Sequence, residues 1–486
     1  RLDNMRDVEK RSGSSSSSNR QKPFIRFDFK KARKFRPFNR MPSLFLLTCV
    51  KQKLRAMQKL ALSLLFAVLA TALFAQKEER YEFKSIKTLS ATPVKSQDQT
   101  GTCWAFSCAS FLESEALRLN KGEVNLSEMF VVRHIYRQKC ENYVRRQGTA
   151  QLGEGGLAHD LLNAVEQYGI APESVYPGRK DADKPLNHGQ LEKDLKKICA
   201  EFVEQGKAGK LPEKWLARID SVLDAEFGKV PQTFTVNETT FTPVSYRDFL
   251  GIRADDYVTI TSFSHHPFYE KFVLEVPDNW SNGQFYNLPI NELMRCLNQS
   301  LQQGYTVEWD ADVSNMGFSS GNGLAIVPEK DWKDRSAGER QNAFKIWEPE
   351  KKVSQEYRQQ MFDRQVTTDD HLMHITGMLD ETHSGTYYAV KNSWGEVSDL
   401  KGYVNVSEAY MRLNTISFTV HKNALPGDVA QRLGLRVERP TPVMRPKPEK
   451  PSDRTDSSVT PAKLKPATNV VKPKTTPARA PGSSDQ

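Results

Sequence analysis

Cysteine is scarce in this chain, with six among 486 residues. Cys49 lies ahead of an apolar run, and Cys108, Cys140, Cys199 and Cys296 follow no zinc-binding spacing, so neither metal nor cofactor is expected. Those four cysteines allow three pairings that spacing cannot separate. A membrane-spanning stretch is also lacking: the apolar run Leu60 to Phe74 is too short for a comfortable span. No internal repeat is present, which excludes a solenoid. Positive charge is missing where it would matter. The chain carries a net +10, but residues 1–56 hold 16 basic and 4 acidic side chains and residues 436–486 hold 11 and 5, leaving about −9 over 76–435. No basic folded surface is expected, and nucleic acid is excluded as a partner.

The ends read as separate from the body. Leu60 to Phe74 follows Met57, Gln58 and Lys59 and closes with Ala72-Leu73-Phe74-Ala75, the pattern of a signal peptide (57–75) cleaved before Gln76. The protein is therefore expected to be exported, periplasmic or extracellular, with residues 1–56 as a non-native upstream extension. Without a cysteine at the cleavage point, a lipid anchor is not expected. From Val437 onward prolines recur among Lys, Thr, Ser and Ala, so 436–486 is expected to be a disordered basic tail. The body, 76–435, is expected to be a single folded domain with room for insertions.

What is present is concentrated in Gln97-Asp98-Gln99-Thr100-Gly101-Thr102-Cys103-Trp104-Ala105-Phe106. Ala105, Ala109, Leu112, Ala116 and Leu119 recur at helical spacing and predict an amphipathic helix that ends near Gly122. Cys103 would sit at its N-terminus, where unpaired N–H groups and the helix dipole favour an anion. The thiol pKa is expected below its ordinary value of about 8.5.

The residues around Cys103 resemble the papain superfamily of cysteine peptidases. Asn125-Leu126-Ser127-Glu128 resembles the start of that family's second helix, Gly155-Gly156 its substrate-binding strand, and Asn392-Ser393-Trp394-Gly395 its asparagine motif. The disulfide that anchors the nucleophile turn in secreted members is missing, its positions being taken by Thr100 and Gly153. That departure, the long Cys-to-His interval with an insertion at about 180–280, and the absence of an inhibitory prodomain point to the bleomycin hydrolase and aminopeptidase C branch. The resemblance implies an α+β papain-like fold, with a helical half carrying Cys103 packed on a twisted antiparallel half carrying His371 and Asn392. It also allows a homo-oligomer. In that branch the C-terminal arm enters the cleft and its carboxylate meets the substrate's amine. The comparable end here falls in the 440s, and Pro446 to Gln486 continues beyond it.

His371-Leu372-Met373-His374-Ile375-Thr376-Gly377 offers two histidines on opposite faces of a strand, and antiparallel pairing with Asn392 puts the turn within Asp380 to Gly385. The branch's pattern of His, a small or apolar residue, Met, two variable positions and Thr-Gly matches in register only from His371, making it the expected base and His374 its structural neighbour. By the same resemblance Cys103 is the nucleophile, Asn392 orients the imidazole, Trp394 shields that contact, and Gln97 with the Cys103 N–H binds the oxyanion. Gly155 and Gly156 would leave room for substrate backbone. His134, His159, His188, His265, His266, His383 and His421 have no evident metal-binding partners and read as structural. Asp310 and Asp312 could line the cleft, though two spaced acids are more often a solvated strand edge.

The expected activity is peptide-bond hydrolysis through a cysteine thioester, as an aminopeptidase. The alternatives are an endopeptidase of the same mechanism, or a binding protein on a degenerate peptidase fold. Iodoacetamide should label Cys103 near neutral pH faster than any other cysteine, as read by peptide mass spectrometry. Cys103→Ser should abolish turnover while keeping the melting temperature within a few degrees; substantial residual activity would refute the nucleophile assignment.

Overall fold

The computed structural model describes residues 54–59, 63, 79–181 and 184–438. Most of the upstream extension, of the expected signal peptide and of the expected tail lies outside the described residues; residues 54–59 are helical. Among the described residues no helix is long and apolar enough to cross a membrane.

Five helices build the first half: α1 (Cys103–Arg118), α2 (Glu128–Arg145), α3 (Ala158–Tyr168), α4 (Gly189–Lys207) and α5 (Leu216–Phe227). Helix α2 begins where Asn125-Leu126-Ser127-Glu128 placed it, because the Ser127 hydroxyl accepts the Phe130 N–H at 3.0 Å and caps the first turn. Helix α1 ends at Arg118, before the expected Gly122, which forms a turn at φ +85°. It also departs from the amphipathic expectation: every residue from Cys103 to Ala116 is buried. The reason is its position between two cores, where no face of the helix is left for water.

The strands are β1 (Phe83–Thr88), β2 (Phe234–Val236), β3 (Thr239–Phe241), β4 (Tyr257–Thr261), β5 (Lys271–Val273), β6 (Gln284–Asn287), β7 (Val307–Ala311), β8 (Phe318–Ser319), β9 (Leu324–Ala325), β10 (His371–Glu381), β11 (Gly385–Lys391), β12 (Tyr403–Ser407) and β13 (Thr415–His421). All but the β2–β3 hairpin join one sheet, in the order β5-β6-β4-β13-β7-β10-β11-β12-β9-β8, with β1 also on β10. The architecture is α+β. The sheet is not purely antiparallel as expected: β4–β6 and β9–β12 are parallel pairs. The β10–β11 turn falls at 382–384, inside the expected window. The segment at 180–280 supplies α4, α5 and the β2–β3 hairpin, and also β4, which pairs with β13 in the main sheet. It is thus knitted into both halves.

Alternation along the central strands divides the two cores. Leu372 belongs to the cluster of the helical half, whereas Met373, Ile375 and Trp309 belong to the cluster beneath the sheet. Leu372 and His374 pair across β10–β7 with Asp310 and Glu308, so these polar residues share the face turned to α1. There the Ser107 hydroxyl donates to the Met373 carbonyl at 2.7 Å and to Glu308 at 3.5 Å. Asp310 and Asp312 are fully buried, which corrects the solvated-edge reading: β7 is an interior strand flanked by β13 and β10.

Burial pushes the Glu308 carboxyl up to about 8, and one of its oxygens has no partner. A carboxyl raised on folding contributes its stability fully below the unfolded value of 4.5 and loses it as pH rises through the folded value near 8. Glu308→Gln should therefore gain melting temperature over the parent as pH rises from 5 to 8, by roughly 3 °C or more. A difference independent of pH, measured by scanning calorimetry, would show that Glu308 does not carry this proton.

Candidate active site

Helix α1 starts at Cys103 with no side-chain cap on its N-terminus and no acid in its first turn. The turn before it is held without a disulfide. The Thr100 hydroxyl donates to the Gln97 carbonyl at 2.8 Å and lies 2.6 Å from the Thr102 hydroxyl, while Glu154 accepts the Gly101 N–H at 2.6 Å. The Trp104 indole N–H reaches the Glu154 carbonyl at 3.0 Å. Hydrogen bonds thus tie 100–104 to 153–154, the two segments that a disulfide would have joined.

Gln97 is buried and fixed on both sides. Its backbone N–H donates to the Ser393 carbonyl at 2.8 Å and its Oε1 accepts the Ser393 hydroxyl at 2.6 Å. Its amide nitrogen donates to the Thr100 carbonyl at 2.7 Å. That leaves the second amide hydrogen free.

His371 opens β10, and its Nε2 lies 2.7 Å from Asn392 Oδ1. The Ser393 backbone N–H also reaches that oxygen, at 2.7 Å, and a backbone N–H can only donate. Oδ1 is therefore the acceptor, Nε2 of the neutral ring carries the hydrogen, and Nδ1 keeps its lone pair. Trp394 lies over the ring with centroids 4.5 Å apart, and its own edge meets Phe318. His374 is placed elsewhere. Its Nδ1 is 2.9 Å from the Ser110 hydroxyl, which also accepts Lys391 Nζ at 2.7 Å, and its ring packs against Phe111.

The backbone N–H of Leu372, the residue after His371, lies close enough to the Cys103 sulfur to act on it electrostatically. Cys103, His371 and Asn392 are all buried. Here the structure departs from the expected acidic thiol. Burial pushes Cys103 up to about 12, opposed by the Leu372 N–H and reinforced by the carboxyls of Asp278, Asp369 and Asp310, while burial pulls His371 down to about 4. Desolvation outweighs the helix terminus, so each group alone prefers its neutral form. Moving the thiol proton to the imidazole creates an ion pair without changing the net charge of the site.

Gly155 and Gly156 form no strand. A Cβ on Gly156 would press on the Trp104 ring, and one on Gly155 would collide with the Asp278 carboxyl. The Gly155 carbonyl accepts from the buried Lys139 ammonium. Asp278 belongs to a loop pinned over α3 by Trp280, whose indole donates to Asp160 at 3.0 Å. The sequence offered no sign of this cover. A separate cavity of about 640 Å³ opens beside Lys95, Ser96 and Asp98, and none of Cys103, His371 or Asn392 lines it.

Among the described residues, Cys108, Cys140, Cys199 and Cys296 are free and buried, with the Cys140 and Cys199 thiols in contact. Among the other histidines, His134 stacks on Tyr168, His188 meets the Tyr136 hydroxyl, and His159 meets Ser281. His265 and His266, for which the sequence suggested no partner, converge on Glu275 at 3.2 and 2.7 Å. Among the described residues this trio is the one group of three or more His, Cys, Asp or Glu side chains placed to hold a metal ion. The signal was missed because Glu275 lies on a different segment.

The profile of the Peptidase C1-like family matches residues 53–441. Aminopeptidase G of Lactobacillus delbrueckii subsp. lactis is 23% identical over 378 residues, covering 70% of this chain and 83% of that protein. Bleomycin hydrolase of Gallus gallus is 22% identical over 385 residues, covering 69% and 82%. The crystal structure of PepW from Lactobacillus rhamnosis HN001 superposes with a TM-score of 0.57 at 21% identity, covering 81% of this chain and 95% of the other, a likeness of fold. With the family profile spanning most of the sequence, the chain belongs to the Peptidase C1-like family and is a papain-like cysteine peptidase of the aminopeptidase C and bleomycin hydrolase branch.

Proposed function

We propose that this protein is an exported cysteine aminopeptidase in which Cys103, His371, Asn392 and Gln97 carry the reaction. The observation that supports this most is the His371–Asn392 hydrogen bond, formed one residue from the amide that acts on the Cys103 sulfur. With Nε2 engaged, Nδ1 is the nitrogen left to take the thiol proton. The sulfur then attacks the scissile carbonyl carbon. The oxyanion forms beside the free Gln97 amide hydrogen and the Cys103 N–H, a contribution of about 3 kcal/mol per donor. Collapse breaks the C–N bond, and the leaving amine takes the proton from His371. Water, deprotonated by the same imidazole, then hydrolyses the thioester. Trp394 keeps water from the His371–Asn392 contact.

Removal of single N-terminal residues is supported by relatives that are named aminopeptidases. Export is supported by the apolar run ending at Ala75, and N-terminal sequencing of the secreted protein, expected to start at Gln76, would check it.

His371→Ala should remove most of kcat by taking away the proton acceptor, by about a hundredfold or more. His374→Ala should chiefly lower stability, because its partners are Ser110 and Phe111. Steady-state kinetics on a free-amine dipeptide amide, paired with melting curves, separate the two; the reverse ranking would overturn the choice of base.

A further inference from the structure

Two carboxyls that act on Cys103 are buried with no basic side chain paired to them. Asp310 is fully buried and Asp369 is screened at its carboxyl; no side-chain cation reaches their four oxygens, and the two carboxyls bond one another only through a retained proton. Asp310 sits on β7 directly across from Leu372, whose N–H acts on the Cys103 sulfur. Asp369 lies two residues before His371. The third carboxyl, Asp278, is partly satisfied: Gln151 donates to it at 2.6 Å, and Lys139 lies close enough to act on it. Lys139 itself is engaged by the Gly155 carbonyl. A buried carboxyl pair with no cation beside it is costly to ionise, and a cation entering between the two would take the place of the proton they share.

We propose that Asp310 and Asp369, flanked by Asp278, form a recess that binds a primary ammonium next to Cys103, occupied by the free α-ammonium of the peptide substrate. The proposal rests on the cysteine aminopeptidase reading and specifies how its substrates are chosen. The geometry favours the α-ammonium over a lysine side chain. An α-amine lies about 2.5 Å from the carbonyl carbon of its own residue, so its binding groups must adjoin the nucleophile. Asp310 meets this condition, being the cross-strand neighbour of the residue whose N–H acts on the sulfur, at a Cα separation of about 5 Å. Burial, with the carboxyls of Asp369 and Glu308, holds Asp310 well above the carboxylate range, and burial with the Asp278 carboxyl holds Asp369 up at about 7 while Asp310 donates to it, so the empty pair shares a proton that an arriving ammonium displaces.

The test uses the full chain with alanyl, acetyl-alanyl, acetyl-alanyl-alanyl and acetyl-lysyl-alanyl coumarylamides. In the parent, the alanyl substrate should exceed the acetyl-alanyl one in kcat/KM by about a hundredfold, and in Asp369→Asn or Asp310→Asn this ratio should fall about thirtyfold. The two isosteric variants are independent, and each counts only with a parental melting profile. A second measurement needs no variant: alaninamide should inhibit the parent competitively, and acetyl-alaninamide should not. Preference for acetyl-lysyl-alanyl over acetyl-alanyl-alanyl, lost in the variants, would keep the ammonium recess but assign it to a lysine side chain and overturn the aminopeptidase reading. A parent that does not distinguish any of these pairs would overturn that reading as well. A parent that prefers free amines, with the ratio unchanged in folded variants and equal inhibition by both amides, would overturn the recess alone.

Discussion

Everything at this site depends on the dry contact between the N-terminal turn of α1 and the face of β10 and β7. That contact brings the Cys103 sulfur to the Leu372 amide and sets His371 one residue away. It also takes ionisable groups out of water, and their charges then act strongly on one another. The raised thiol, the lowered imidazole and the raised carboxyls of Glu308, Asp310 and Asp369 are consequences of that single act of burial.

Two fastenings hold the contact in place. On the helical side, hydrogen bonds from Gly101 and Trp104 to Glu154 do the work for which secreted relatives of papain use a disulfide. On the sheet side, Ser393 bonds Gln97 through both backbone and side chain while its N–H fixes Asn392. One residue therefore couples the Gln97 side chain to the Asn392 amide that meets His371. Small displacements of the 393–395 segment would be felt at both.

The legible part of the site was the part written in contiguous residues. The Cys103 turn, the Asn392-Ser393-Trp394-Gly395 run, the Ser127 cap and the 382–384 turn each depend on neighbours within a few positions, so pattern and spacing sufficed to place them. The choice between His371 and His374 also came from flanking residues. The structure sets His371 on Asn392 and His374 on Ser110.

The sequence by itself determined the order of the functional segments and, through the resemblance of its short motifs to a known family, the fold class and the family. Only the tertiary structure decided what surrounds them. It buried α1 on every side, turned Asp310 from a supposed strand edge into an interior carboxyl, laid Asp278 from a distant loop onto Gly155, and joined His265 and His266 to Glu275. The burial of α1 and Asp310 and the Asp278–Gly155 approach rest on contacts between residues far apart in the chain or on how deeply a strand is covered, and the Glu275 contact rests on how the chain folds back over nine and ten residues. Desolvation depends on that coverage, so the direction in which Cys103 and its neighbouring acids shift could not be read from residue types and spacing.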